Sequence, residues 1–173
     1  MIQNDILILR PVSFNDQQFV IHIRNNPTIY RELFSDPPLY DFVHERWLRN
    51  VNSDETIDLI IEYQGTRAGR ICLNYISYRH MRAEYGIVLL PEYQSKGLAY
   101  QASCLLFDYV FQNLPLQKIY LKVFADNQTA IALYKKLGFQ EEGRLLKEYY
   151  KNGKWRDVLR MATFKDDWLA RKA

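Results

Sequence analysis

Three apolar runs between Thr56 and Leu90 constrain the fold more than any other feature of the chain. Thr56 to Tyr63 reads TIDLIIEY, rich in β-branched residues, and Gln64-Gly65-Thr66 follows as a hairpin turn. Ala68 to Ile76 returns, and Ala83 to Leu90 (AEYGIVLL) makes a third strand, stopped by Pro91. Hairpin turns join antiparallel neighbours. The order is that of a mixed sheet with antiparallel hairpins, not of a doubly wound nucleotide fold.

After this meander the period changes. Leu98, Ala102, Leu105, Leu106, Tyr109 and Val110 recur at three and four, the spacing of an amphipathic helix. Lys118 to Phe124 is the next strand, and Asp126-Asn127 opens a helix to about Lys136, with Gly138 as its natural end. Leu145 to Tyr150 and Val158 to Phe164 read as strands joined by Asn152-Gly153, a strong hairpin signal. Ahead of the meander, Ile6 to Leu9 is a short strand, and Ser13 with Asp16 caps a helix to about Arg24, ended by Asn25-Asn26-Pro27. Phe42, Val43, Trp47 and Leu48 place a second helix over Asp41 to Asn50, and Pro37-Pro38 makes the segment between the two irregular. The expected class is α/β (α+β), a mixed, mostly antiparallel central sheet flanked by helices.

The chain has 173 residues, which suit one domain over residues 1–173. Nine Phe, thirteen Tyr and three Trp exclude a disordered tail protein. Cys72 and Cys104 match no metal spacing and suggest a reduced compartment. No apolar run approaches the ~20 residues of a membrane span, and MIQNDILILRP does not read as a signal peptide. A cytoplasmic location is expected. The net charge of +3 is spread rather than striped, which favours a small anionic ligand over a nucleic-acid groove.

The chemistry concentrates in Leu90-Pro91-Glu92-Tyr93-Gln94-Ser95-Lys96-Gly97-Leu98-Ala99, which joins a buried strand to a helix. Such a junction presents backbone N–H groups without intrahelical partners, and the helix dipole adds positive potential. Phosphate binds there, and small residues let it approach the backbone. The spacing is neither a P-loop nor G-x-G-x-x-G. An ordinary strand–loop–helix connection is the plainer reading of the loop alone.

The loop is followed by Asn127-x-x-Ala130-x-x-Leu133-Tyr134-x-x-x-Gly138-Phe139. Together with Gln94-x-x-Gly97-x-Ala99 after a strand, this pair resembles the signature of the GNAT N-acetyltransferases. The resemblance covers most of the chain and implies acetyl-CoA as cosubstrate, with no metal required. It implies that Ile87, Val88 and Leu89 lie on a splayed strand that pairs with the pantetheine arm. Gln94, Ser95, Lys96, Gly97, Leu98, Ala99 and Tyr100 would hold the pyrophosphate, and Asn127 and Lys136 would touch the cofactor from the next helix. Tyr134 would stand near the thioester sulfur as general acid. A tyrosine of ordinary pKa ~10 can protonate a leaving thiolate, although core packing is the simpler role for any one of thirteen tyrosines. Glu84 is the candidate base for the attacking amine, and a surface carboxylate or a partner of Arg82 otherwise.

Within the superfamily the chain is similar to bacterial spermidine/spermine N-acetyltransferases and to the ribosomal-protein acetyltransferase branch. The shared stretches include Arg82-Ala83-Glu84-Tyr85 and Glu148-Tyr149-Tyr150-x-Asn152-Gly153-x-Trp155-Arg156-Asp157. Where the polyamine enzymes carry W-F-E-E-P-Y, this chain has Leu33-Phe34-Ser35-Asp36-Pro37-Pro38, and it has Cys72 and Tyr75 in place of strand acids. A multiply charged cation needs carboxylates at its ammonium spacing. Of those acids Asp36 remains, and Tyr75, Tyr85 and Tyr149 are the other acceptor-site candidates. Such tyrosines suit a sugar ring or peptide N-terminus by stacking, and they equally suit a subunit interface. The expected function is acetyl transfer to a primary amine of a small molecule, polyamine-like or an amino sugar, by a homo-oligomer. The alternatives are N-terminal acetylation of a protein and acetyl-CoA binding without catalysis.

Overall fold

The computed structural model describes residues 1–49 and 54–171. The first half of the chain runs β1 (Ile2–Gln3), β2 (Leu7–Pro11), α1 (Gln17–Asn25), α2 (Pro27–Tyr30), α3 (Asp41–Leu48), β3 (Ile57–Tyr63), β4 (Thr66–Ser77) and β5 (Arg82–Leu89). The second half runs α4 (Leu98–Asn113), β6 (Lys118–Phe124), α5 (Gln128–Lys136), β7 (Gln140–Lys151), β8 (Lys154–Phe164) and α6 (Lys165–Ala170). The strands form one sheet in the order β1-β2-β3-β4-β5-β6-β8-β7. Every neighbouring pair is antiparallel except β5 with β6.

Two turns fix the hairpins. Gln64 (φ 51°) with Gly65 (φ 75°), and Asn152 (φ 54°) with Gly153 (φ 78°), both adopt the left-handed pair that matches strand twist. Strand alternation then sorts side chains to two faces. Leu59, Ile61, Ile71, Leu73, Ala83 and Tyr85 pack under Ala102, Leu106, Phe107 and Val110 of α4 in the main core. On the opposite face Ile60 packs with Val12, Val20 and Leu48, backed by Phe19 and Trp47. Helices α1 and α3 therefore cover one face and α4 the other, as expected for a flanked sheet.

Several boundaries differ from expectation for local reasons. Pro27 does end α1, but it also sits in the first turn of α2, where Asn26 Oδ1 accepts from the Thr28 N–H at 3.0 Å. Strand β7 begins at Gln140, ahead of Leu145, and almost its whole length is exposed. Neither face of this edge strand is buried by the chain itself, so no apolar alternation marks its first half. Helix α6 is short, and its buried Trp168 meets the Phe107 ring edge-on at 5.3 Å. Asn50, the expected end of the second helix, lies outside the described residues.

Candidate active site

The single parallel pairing in the sheet is brief. Strand β5 pairs with β6 only from Arg82 to Glu84, opposite Lys118 to Tyr120. Beyond that point β5 stays with β4 as far as Leu89, and β6 stays with β8 as far as Phe124. The two strands therefore splay, and β5 presents an unpaired backbone edge to the gap. Such an edge seeks hydrogen-bond partners and suits an extended ligand.

A cleft opens on each side of the gap. One, of about 750 Å³, is lined by Ile87, Val88 and Leu89, the loop after β5 and the start of α5. The other, of about 560 Å³, is lined by Arg24, Phe34, Cys72, Glu84 and Gly86 among others. Glu32, Leu33, Ile87, Val88, Lys122 and Tyr134 line both, so the clefts meet at the splay.

In the larger cleft the loop has the geometry of an anion cradle. Ser95 (φ 58°) and Gly97 (φ 75°) turn the chain into α4, whose first intrahelical bond runs from Gln101 N–H to the Gly97 carbonyl at 3.1 Å. The N–H groups of Leu98 and Ala99 precede that bond, in the first turn where N–H groups lack intrahelical acceptors. A Cβ on Gly97 would meet nothing nearer than 3.9 Å, so glycine is required there by the left-handed backbone rather than by space. Gln94, Ser95, Gly97, Leu98, Ala99, Tyr100, Asn127 and Lys136 all line this cleft. Lys96 does not: its ammonium sits 5.5 Å from the Tyr93 ring centroid. Gln94 does not hold out its amide either, because Nε2 donates to the Leu89 carbonyl at 2.9 Å and braces the loop. Asn127 caps α5, its Oδ1 accepting from the Ala130 N–H at 3.1 Å, which leaves Nδ2 able to donate. The Lys136 ammonium lies 4.6 Å from the Tyr100 ring centroid.

Tyr134 stands where the clefts meet. Its ring packs edge-on to Tyr85 at 6.2 Å and tilted to Phe139 at 5.9 Å. Its hydroxyl makes no hydrogen bond to any described residue. Burial, with a smaller contribution from Cys72, pushes this phenol up to about 12.

The smaller cleft is floored by one face of β4 and β5. Arg70, Cys72 and Asn74 alternate along β4, opposite Val88, Gly86 and Glu84 in register. Arg70 is stacked over Trp47 at 4.8 Å and held by Asp58 through two hydrogen bonds. Glu84 lies beside Tyr120 on β6, and burial together with that carboxylate pushes the Tyr120 phenol up. Cys72 is buried, and burial pushes its thiol up. Glu32 and Glu55 line the same cleft.

The acceptor-site candidates divide. Tyr75 lines the cleft and is exposed. Tyr85 lines the cleft but is buried, and its hydroxyl is 2.6 Å from Ser103 Oγ. Asp36 is turned away, exposed and paired with Lys151 at 3.2 Å. Tyr149 is tilted against Phe34, a residue of the cleft lining, with ring centroids 4.8 Å apart. Sequence reasoning missed Arg24, Arg70, Trp47, Glu55 and Lys122. The alternation of Arg70, Cys72 and Asn74 against Ile71 and Leu73 was the available signal for a polar strand face. Among the described residues no group of three or more His, Cys, Asp or Glu could hold a metal, and no helix is long and apolar enough to cross a membrane.

Comparison with known proteins agrees with this geometry. Residues 7–140 match the model of the acetyltransferase (GNAT) domain. The chain is 37% identical over 163 residues to spermidine N(1)-acetyltransferase of Escherichia coli K12, spanning 94% of this chain and 88% of that protein. A structure of Vibrio cholerae spermidine N-acetyltransferase with CoA and spermine superposes with a TM-score of 0.91 at 33% identity, covering 96% of this chain and 99% of that one. A dodecameric structure of the Vibrio enzyme matches with a TM-score of 0.86 at 32% identity, covering 98% of this chain and all of that one.

Proposed function

The chain belongs to the GNAT acetyltransferases, an acetyl-CoA-dependent N-acetyltransferase of primary amines, and from that premise we propose that its acceptor is a polyamine of the spermidine class. The observation that carries this reading is the junction at Tyr134 of a groove suited to CoA with a cleft lined by Glu32, Glu55 and Glu84. The acids expected at the family's positions are absent or turned away, and Glu32 is paired with Arg156 at 3.0 Å, yet Glu84 gives an ammonium somewhere to bind. Similarity to spermidine enzymes over nearly the whole chain supports the same choice.

The larger cleft fits acetyl-CoA. The first-turn N–H groups of α4 suit the pyrophosphate, and the unpaired edge of β5 suits the amide-bearing arm. Bound there, acetyl-CoA supplies an activated acyl group and a thiolate leaving group. The backbone N–H groups of the β5 edge can polarise a carbonyl lying in the gap. Glu84 can take a proton from the ammonium, directly or through water. Tyr134 stays protonated through the neutral range and can donate to sulfur. The burial that raises this phenol also raises the basicity of a thiolate beside it. Direct attack needs no covalent enzyme intermediate, so Cys72 has no nucleophilic task. A homo-oligomer, as in the dodecameric Vibrio structure, is part of the proposal.

The test is thiol release from acetyl-CoA with spermidine, against an amino sugar and an N-terminal peptide. Spermidine is expected to give the highest kcat/KM. A clear preference for the sugar or the peptide overturns the polyamine assignment.

A further inference from the structure

Arg24 is placed where an acceptor, rather than the protein, would complete its hydrogen bonds. It lies in the last turn of α1 and lines the acceptor cleft together with Cys72, Glu84 and Tyr134. Of its five N–H donors, one is used among the described residues, donating to Ser35 Oγ at 2.7 Å. The cleft's other guanidinium, Arg70, is occupied by Asp58. Burial lowers the pKa of Arg24, and the positive charge of Arg70 lowers it further. A charged fork held at a cleft wall with most of its donors unused is costly unless something fills it. Lys122 adds a second cation where the clefts join.

We propose that the cleft also accepts amines that carry a carboxylate, with Arg24 binding that carboxylate through its fork. Planar bidentate pairing is the contact that distinguishes a guanidinium from a simple point charge. The ammonium end of such a zwitterion would face the carboxylate side of the same cleft, at Glu84. The chemical step is unchanged. One proton leaves the ammonium to Glu84 or water, the N–C bond forms as the C–S bond breaks, and the second amine proton balances the thiolate released as thiol. The inference rests on the acetyltransferase reading but not on the polyamine assignment.

Matched pairs that differ only in the carboxylate test it: L-lysine against cadaverine, and L-ornithine against putrescine. The wild-type protein should acetylate both members of each pair. Arg24→Gln should lower kcat/KM for lysine and ornithine at least tenfold, while cadaverine and putrescine stay within threefold or improve. Arg24→Lys, which keeps the charge without the fork, should recover part of the loss. Unchanged CoA affinity and thermal midpoint would show that the variants fold. The proposal is overturned if wild type neither binds nor acetylates the acids, or if Arg24→Gln shifts both members of a pair alike. Calorimetric binding of lysine and cadaverine to the CoA complex reads the subsite without turnover. Absence of thiol release with every amine, spermidine included, would overturn the acetyltransferase reading alone.

Discussion

The Lys151 ammonium donates to the Ser35 carbonyl at 3.1 Å and also to that of Leu33, joining the hairpin of β7 and β8 to a loop more than a hundred residues earlier. The Lys151 side chain is almost fully buried, and its third partner, Asp36, is exposed. The loop it holds carries Phe34 and Ser35, and Ser35 is the residue that Arg24 contacts. Replacing Lys151 with Met removes two carbonyl partners and frees the loop. Steady-state kinetics should show KM for the acceptor rising about tenfold, the scale of one charged hydrogen bond, with KM for acetyl-CoA little changed. Equal rises in both constants would contradict the link to the acceptor side.

Tyr134→Phe removes the phenol and keeps the ring packing against Tyr85 and Phe139. A general acid is worth about 10²–10⁴ in rate, so kcat should fall at least a hundredfold while CoA affinity holds. The wild-type pH profile gives a second check. A phenol held near 12 stays protonated well above neutrality, so the acid form is lost only when pH passes that value. The rate should rise as the amine deprotonates and show no falling limb below about pH 10. A descending limb near pH 8 would assign the acid elsewhere.

Gly69 on β4 faces the strand that splays. A Cβ there would lie 2.2 Å from the Val88 carbonyl oxygen, a backbone atom that can move only with the strand. Gly69→Ala is expected to destabilise the fold by about 1–3 kcal/mol, the usual cost of overpacking. It should also weaken CoA binding severalfold, because Val88 lines both clefts. Differential scanning calorimetry and isothermal titration read the two effects separately.

Asp16 anchors the start of the helical cover. Its buried carboxylate accepts from both terminal guanidinium nitrogens of Arg10 at 2.7 and 2.8 Å, and from the Ser13 N–H at 2.9 Å. Burial alone would raise this carboxyl, but the bonds from Arg10 and Ser13 outweigh it and hold it well below the usual range. A depressed carboxylate stabilises the fold above its unfolded pKa, and that stability is lost as pH falls. Thermal stability should therefore decline below about pH 4. Asp16→Asn should remove about 2 kcal/mol near neutrality and flatten the decline, a drop in Tm of about 4–8 °C for a chain this size. An unaltered acid profile in the variant would show that other carboxylates govern it.

Much of the fold was legible because its signals are local. Gln64-Gly65 and Asn152-Gly153 specify their turns by left-handed preference, and Lys118–Phe124 is bounded as expected. The larger cleft was legible for the same reason, since one loop and the start of α5 carry much of its lining. The acceptor cleft was not. Arg24 comes from α1, Arg70 and Cys72 from β4, Glu84 from β5 and Tyr134 from α5, and only the register of the folded sheet brings them together. Tyr85 and Tyr149 were ambiguous because tyrosine suits a core and a ligand equally. Their ring contacts with Phe107 and Phe34 form only after folding.

The brief pairing of β5 with β6 also bears on the order of events. A donor bound on one side of the parted strands leaves the other side free for an acceptor. The two reagents would meet over a shared floor at Ile87 and Val88. Neither has to depart before its partner arrives, and no residue need carry the acyl group between visits. The kinetics that suit such a seam are those of a ternary complex, with intersecting rather than parallel double-reciprocal lines.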